Sequence, residues 1–355
     1  MASRGRAERV KTHSIPRRAA LRLAAATVAL VGGGARAGTR RFTDDTGREI
    51  LVPERPARVF AAGPPASVAV FALAPRMLLG WPRALRGAEA EYLPAFARDL
   101  PETGRLTGRG DTTNLETLVA LQPDLIVDVG SVTRTTIDLA MRIQERTGIP
   151  YVLLGGRFAE TPAMLRRLGE ILGVPEQGAA LAAYAAAIQI PIAARAATMP
   201  AAARPRVYYG RGPQGLETGG PGSINLEILE FSGLANVAAG PPSLFNVSPE
   251  QLLAWDPDHL ILLDPALRRR LAGHPVWEAL GAVRGGRIHV PPSLPFGWID
   301  FPPGLNRLAG LLWIEHAIFS RGDAAAFREA VRMFFARVHH VELDAAAIER
   351  LLATG

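Results

Sequence analysis

NLETLVALQPDLIVDV, residues 114–129, decides the fold, because it returns as SPEQLLAWDPDHLILL at residues 248–263. Aligned without a gap, Glu116 meets Glu250, Leu118 meets Leu252, Ala120 meets Ala254, Pro123 meets Pro257, Asp124 meets Asp258 and Ile126 meets Leu260. Each copy opens on a polar helix cap and places Glu in the first turn, where the helix dipole favours a carboxylate. A Pro-Asp pair then stops the helix, and an apolar run of strand length follows. One helix–strand cassette per half predicts two similar lobes. The two glutamates fall at equivalent places on those lobes. Ordinary first-turn capping is the alternative role for each.

Outward from the cassettes, strands and helices alternate through short Gly/Pro junctions. The first half reads as a hairpin over 42–53 turning at Asp45-Thr46-Gly47, strands over 58–62, 77–80 and 151–154, and helices over 67–73, 135–146 and 161–172. Residues 175–199 are Ala-rich with no glycine after Gly178, which predicts one long helix bent near Pro191. The second half reads as a strand over 207–209, a Gly-rich loop over 210–222, a helix over 224–232, a helix near 275–280 and a strand over 287–290. An aromatic, proline-rich loop over 291–307 precedes closing helices over 308–319 and 324–335. The fold class is therefore α/β: two similar lobes with mostly parallel sheets, joined by one long helix, with a ligand cleft between them. The boundaries are an export signal at 1–37, an N-terminal lobe at 38–174, a connecting helix at 175–200 and a C-terminal lobe at 201–355.

Hydrophobic residues make up 48% of the chain and charged residues 21%, which describes a folded protein and excludes a disordered one. The formal charge of +7 is confined to the first 37 residues, where Arg4, Arg6, Arg9, Lys11, Arg17, Arg18, Arg22 and Arg36 face only Glu8. The remainder is formally neutral, so a nucleic-acid-binding role is rejected. Basic residues, an apolar run over 19–31 and Ala35-Arg36-Ala37 are the three parts of an export signal cleaved near Ala37. Arg17-Arg18 ahead of that run resembles a twin-arginine signal; Pro16 and Ala19-Ala20 depart from it and leave the Sec route open. With no cysteine in the chain, disulfides, thiolate metal sites, a cysteine nucleophile and a lipidated cysteine anchor are all excluded. The expectation is a soluble periplasmic protein.

In open α/β sheets ligands bind beyond the carboxyl ends of the strands. Those ends offer Trp81, Arg83, Ser131 and Arg157 in the first half, with Arg109 facing the same edge ahead of the cassette helix. In the second half they offer Tyr209, Arg211, Phe245, Phe296, Trp298, Asp300 and Arg307. Aromatics with arginines suit a bulky or anionic small molecule held by stacking and bidentate guanidinium bonds. Trp298 is assigned to the ligand because glycine beside it lets the backbone approach a guest. Phe301 is left between packing and ligand contact, and Asp300 and Arg307 are expected to pair with one another. No catalytic constellation emerges. His259, His274, His289, His316, His339 and His340 share no metal-ligand spacing, His259 reads as a strand-start residue, and there is neither a G-x-S-x-G elbow nor a P-loop. Neither a protein-ligated metal nor a cofactor is expected.

Beyond these readings, PARVFAAGPPASVAVFALAP, NLETLVALQPDLIV, ETGGPGSINLEILEFSGLANVA and VSPEQLLAWDPDHLILL together resemble the periplasmic binding proteins that deliver iron–siderophore complexes, haem or cobalamin to ABC importers. The likeness covers nearly everything after the leader. It implies two α/β lobes on one long helix, a guest in the cleft, and a Glu on each lobe docking against arginines of the permease. Those glutamates would be Glu116 and Glu250. A monomer that carries out no reaction is implied, with a ferric siderophore as first choice of guest and cobalamin, haem or an oxyanion such as molybdate or tungstate as alternatives. From other classes, a periplasmic chelate-processing enzyme and a protein-binding adaptor remain open.

Overall fold

The computed structural model describes residues 38–354 apart from 109, 111 and 272–274. The expected export signal lies outside the described residues. From Gly38 onward the chain forms one compact unit built on two parallel sheets. β1 (Thr39–Thr43) and β2 (Glu49–Pro53) make the expected hairpin. β3 (Val59–Ala61), β4 (Leu125–Gly130) and β5 (Tyr151–Gly155) form the first sheet in that order. The second sheet draws on β6 (Arg206–Gly210), β8 (Ala235–Asn236), β10 (His259–Leu262) and β11 (Ile288–His289), ordered β11-β10-β6-β8. Between them in sequence, β7 (Glu217–Gly219) and β9 (Leu244–Asn246) pair as a small antiparallel ribbon. The fold is α/β with parallel sheets, as the sequence predicts.

The repeated cassette has a shared physical purpose. Its helices run Leu115–Ala120 and Pro249–Trp255, capped by the side chains of Asn114 and Ser248. Both end on a non-glycine residue in left-handed conformation, Gln122 (φ 48°) and Asp256 (φ 36°). The Asp of each Pro-Asp pair then grips the start of the neighbouring strand. Asp124 Oδ2 accepts the amides of Ala57 (2.7 Å) and Arg58 (3.1 Å), and Asp258 Oδ2 accepts that of Arg206 (3.0 Å). In return Arg58 and Arg206 donate to the helix-end carbonyls Leu121/Gln122 and Trp255/Asp256, satisfying acceptors the helix leaves unpaired. β4 and β10 are interior strands, which explains their unbroken apolar runs.

Alternation along the strands divides the interior. Phe60, Ile126, Tyr151 and Leu153 face a core private to the first sheet, and Tyr208, Leu260 and Leu262 one private to the second. Val59, Ala61, Val127, Val152 and Leu154 face the other way, into a core shared with Val207, Tyr209 and Ile261. The predicted long helix is present as Pro175–Thr198, with Pro191 inside it. It packs on the helix Thr161–Ile171 where Gly169 and Gly178 face each other; a Cβ on either would come within 2.9 Å of the other's Cα.

Some boundaries differ from expectation. The helix expected from residue 67 already starts at Pro64, as Pro64–Leu73, because its first turn has no need of proline's missing N–H. The expected strand over 77–80 is reduced to a bridge between Leu78 and Val59. The expected helix over 224–232 is only Glu227–Phe231. The closing helices Arg307–Ala317 and Ala324–Phe334 are present, and the second runs on into a wider turn, Phe335–His339. That end of the chain does not stay with the second sheet. Phe335, Val338, Ile348 and Leu351 enter the shared core, Phe335 meets Tyr92, and His340 Nε2 lies 3.1 Å from Phe71 O.

Two histidines spaced 30 apart in sequence become neighbours on β10 and β11, with His259 Nδ1 2.9 Å from His289 Nε2. Burial, reinforced by His259 and Arg268, holds His289 down to about 4, and burial with His340 beside it holds His339 down to about 3. Unfolded histidine titrates near its usual 6.5, so between those values the unfolded chain binds more protons than the fold. Stability is therefore full above that pH and drains as pH falls through it. Denaturant titrations at a series of pH values should show this slope, and His289→Gln should flatten its part. A slope unchanged by His289→Gln would remove the pair from the account.

Candidate ligand cleft

At the carboxyl ends of β4 and β5 the chain opens into a cleft of about 1020 Å³. One wall is the first half: Gly130 to Thr133, Gly155, Arg157 and the outer face of the helix Thr161–Ile171. The other is the second half: Gly222 to Asn225 and the turn Pro242–Leu244. The hairpin supplies the end. Its turn residue Asp45 accepts the Gly155 amide at 2.6 Å and pairs with Arg167 at 2.9 Å, so Arg167 is already neutralised within the cleft. Arg157, 61% exposed, keeps only a loose 3.7 Å contact with Glu227. Hydroxyls of Ser131, Thr133, Ser223 and Ser243, the Asn225 amide, the Glu160 carboxylate and the apolar Val132, Met164, Ile224 and Leu244 complete a mixed lining without a single aromatic ring.

A buried network lies behind this lining. Glu227 Oε1 accepts from the Phe158 amide (2.6 Å) and from Arg307 Nη1 (2.8 Å). Arg307 also donates to Ile224 O (2.9 Å) and to Gly156 O (3.0 Å), and Gln189 from the long helix donates to Phe158 O (2.6 Å). The segment 156–158 is thus held on both sides of Arg157. Burial pulls the Arg307 guanidinium below its ordinary value, opposed by Glu227. Alongside, Asp300 Oδ2 lies 3.0 Å from Arg211 Nε and accepts from the Tyr209 hydroxyl (3.0 Å), while its Oδ1 accepts from Asn225 Nδ2 (2.9 Å). Arg211 pairs with Glu217 as well (2.9 Å), and burial, then the Asp300 carboxylate, push the Tyr209 hydroxyl well up.

Of the residues expected to meet a ligand, Ser131 and Arg157 line this cleft. Tyr209, Arg211, Asp300 and Arg307 lie beneath it as the network just described. Asp300 and Arg307 do not pair with one another: each has a nearer partner, Arg211 and Glu227 respectively. The remainder are elsewhere. Trp81 is buried against Phe71 and Phe296, its indole donating to Ala97 O at 2.8 Å. Phe296 lies between Trp81 and His339. Trp298 is 1% exposed and donates to Leu294 O at 3.1 Å. The glycine beside it serves the backbone and not a guest, since a Cβ on Gly297 would sit 1.8 Å from Asp300 O. Arg83 is held by Glu89 through two bonds of 2.8 and 2.6 Å, which raise its pKa. Phe245 covers Gly240 beside the cleft-lining Leu244. Arg109 lies outside the described residues.

Asp45, Arg167, Asn225 and Glu227 were not singled out by sequence reasoning. The DTG turn carried a signal for Asp45 as a turn former; Glu227, inside an apolar helix, carried none. Glu116 and Glu250 are both exposed in the first turn of their helices, and no cation pairs with either among the described residues. The Glu250 pKa is lowered by its own amide and the Ser248 hydroxyl.

A family model described as periplasmic binding protein matches residues 77–293. A cobalamin-binding protein of Halobacterium salinarum is 28% identical over 228 residues, 61% of this chain and 57% of that protein, so the match spans little more than half of that relative. Among solved structures, an ABC transporter solute binding protein from Sulfurospirillum deleyianum is 25% identical with a TM-score of 0.79, covering 88% of this chain and 99% of that one. The molybdate periplasmic binding protein MolA of Haemophilus influenzae shares the fold, with a TM-score of 0.69 at 20% identity over 86% of this chain and 99% of its own.

Proposed function

The chain belongs to the periplasmic binding protein family, and from that premise we propose that it is the substrate-binding component of an ABC importer, holding a metal chelate between two lobes. In this reading the lobes are residues 38–174 and 201–355 on either side of the connecting segment 175–200. The protein is exported through its twin-arginine-like leader, cleaved near Ala37, and works as a soluble periplasmic monomer that delivers its guest unaltered. The observation that carries the reading is the cleft itself. Its volume of about 1020 Å³ lies at the upper end for small-molecule sites, and is far more than a bare oxyanion fills. Hydroxyls, an amide and the loosely paired Arg157 suit the oxygen-rich surface of a ferric siderophore, with Glu160 and the apolar Val132, Met164, Ile224 and Leu244 beside them to meet its less polar parts.

Calorimetric titration of the mature chain with ferric siderophores, cyanocobalamin, haemin and molybdate tests this. A ferric chelate is expected to bind, and Arg157→Ala to weaken that binding by about tenfold or more through loss of a charge-assisted bond. Binding of molybdate alone would move the protein to the oxyanion carriers. Turnover of a chelate without a transporter present would make it an enzyme.

A further inference from the structure

Among the described residues Phe301 is the one Phe, Tyr or Trp left exposed, at 56%. Its backbone has φ +60°, a left-handed conformation that bulky L-residues rarely adopt and that glycine would take freely. Both features have to be held in place. The Gly297 amide donates to Phe301 O at 3.2 Å, closing a tight turn, and the Phe301 amide donates to Asp300 Oδ1 at 2.8 Å. Beneath the ring, 4.4 Å from its centre, lies the guanidinium of Arg211, a side chain only 3% exposed. One face of the ring is thus occupied by a fixed cation. More than half of its surface remains open.

The position of the ring relative to the cleft follows from a shared acceptor. Asp300 Oδ1 receives both the Phe301 amide and the Asn225 amide group, and Asn225 lines the cleft wall. The two donors can be no further apart than these two bonds laid end to end. The Phe301 backbone amide is therefore within two hydrogen bonds of Asn225 on the second-half wall, just outside a cleft whose own lining has no aromatic. We propose that Phe301 is a specificity-determining residue, a stacking platform that extends the guest site beyond Asn225 and selects guests with a flat, conjugated face beside the anionic group held at Arg157. The Arg211 guanidinium, itself paired with Asp300 and Glu217, holds the ring's inner face and leaves the outer face for a guest. The inference rests on the solute-binding reading and adds to it the chemistry of the guest's second face.

The strained backbone makes the idea testable without knowing the guest. A ring kept for packing should be missed when it is removed; a ring kept for a guest should not. The probe is 1-anilinonaphthalene-8-sulfonate, which joins a sulfonate to flat aromatic rings, followed by its fluorescence. Phe301→Gly is expected to weaken probe binding by about fivefold while leaving Tm unchanged or raised by up to about 3 °C, as relief of the left-handed strain offsets the lost ring contact. Phe301→Trp should keep the affinity. Ser131→Trp, which sets a bulky ring against the first-half wall beside Arg157, should abolish it. A Tm lowered by more than about 3 °C in Phe301→Gly would return the ring to structural packing and overturn the platform. Unchanged affinity in Phe301→Gly, with affinity lost in Ser131→Trp, overturns the platform alone and leaves the transport reading standing. If neither variant alters binding, the platform and the cleft as guest site both fall.

Discussion

Glu227→Ala is expected to lower the unfolding free energy by about 3–5 kcal/mol, the usual consequence of stranding one member of a buried ion pair. The partner left behind is Arg307, whose side chain is only 2% exposed. Glu227 also satisfies the Phe158 amide at 2.6 Å, so its removal orphans a buried donor as well. Glu227→Gln keeps an acceptor for that amide but not the charge, and should fall between the two. Glu227→Met combined with Arg307→Met should regain part of the loss, because no buried charge is then left unmatched. Denaturant unfolding of the four proteins measures all of this. A change below about 1 kcal/mol in Glu227→Ala would mean that water reaches Arg307 and that the network does not hold the halves together.

Reversing both docking candidates should have the largest effect on function. Glu116→Arg with Glu250→Arg is expected to abolish importer-dependent uptake while leaving guest affinity and Tm within error of the parent. The stability side follows from the structure: both carboxylates are exposed in short helices, and no cation pairs with either among the described residues. Each loses only a helix-start dipole contact at the solvent-exposed surface, where such contacts are weak and screened by salt. The functional side follows from the repeat. Two exposed acidic groups at equivalent positions in the two cassette helices would offer arginines of a permease a matched pair. Uptake that survives the double reversal, measured in cells with the chain as sole binding component, would make both residues helix caps and nothing more.

How far the sequence could be read depended on how local each cause was. The cassettes were legible because capping, dipole and Pro-Asp termination act within one turn, and because the same solution appears twice. Even so, the meaning of the Pro-Asp pair was missed: Asp124 and Asp258 clamp a strand start some 50 or more residues away in sequence. The strand over 77–80 failed for a related reason, since its pairing is confined to a single bridge at Leu78. In the site, strand ends correctly pointed to Ser131 and Arg157. They could not tell lining from foundation, because burial is a tertiary property. Arg211, Asp300 and Arg307 look like exposed ligand contacts in sequence and prove to be neutralised below the surface. Trp81, Phe296 and Trp298 look available and are packed among one another's neighbours. Asp45 was hidden by its distance, 110 residues from the Gly155 amide it accepts.

The tail of the chain has a consequence for its biosynthesis. Phe335 packs on Tyr92 and His340 on Phe71, residues that a ribosome makes some 250 residues earlier, and Val338, Ile348 and Leu351 join the same core. The earlier segment cannot finish folding until the last turns emerge, so the two sheets are not separable modules. Cut at the long helix, the fragments should stay soluble only when co-expressed, each supplying the other's missing wall.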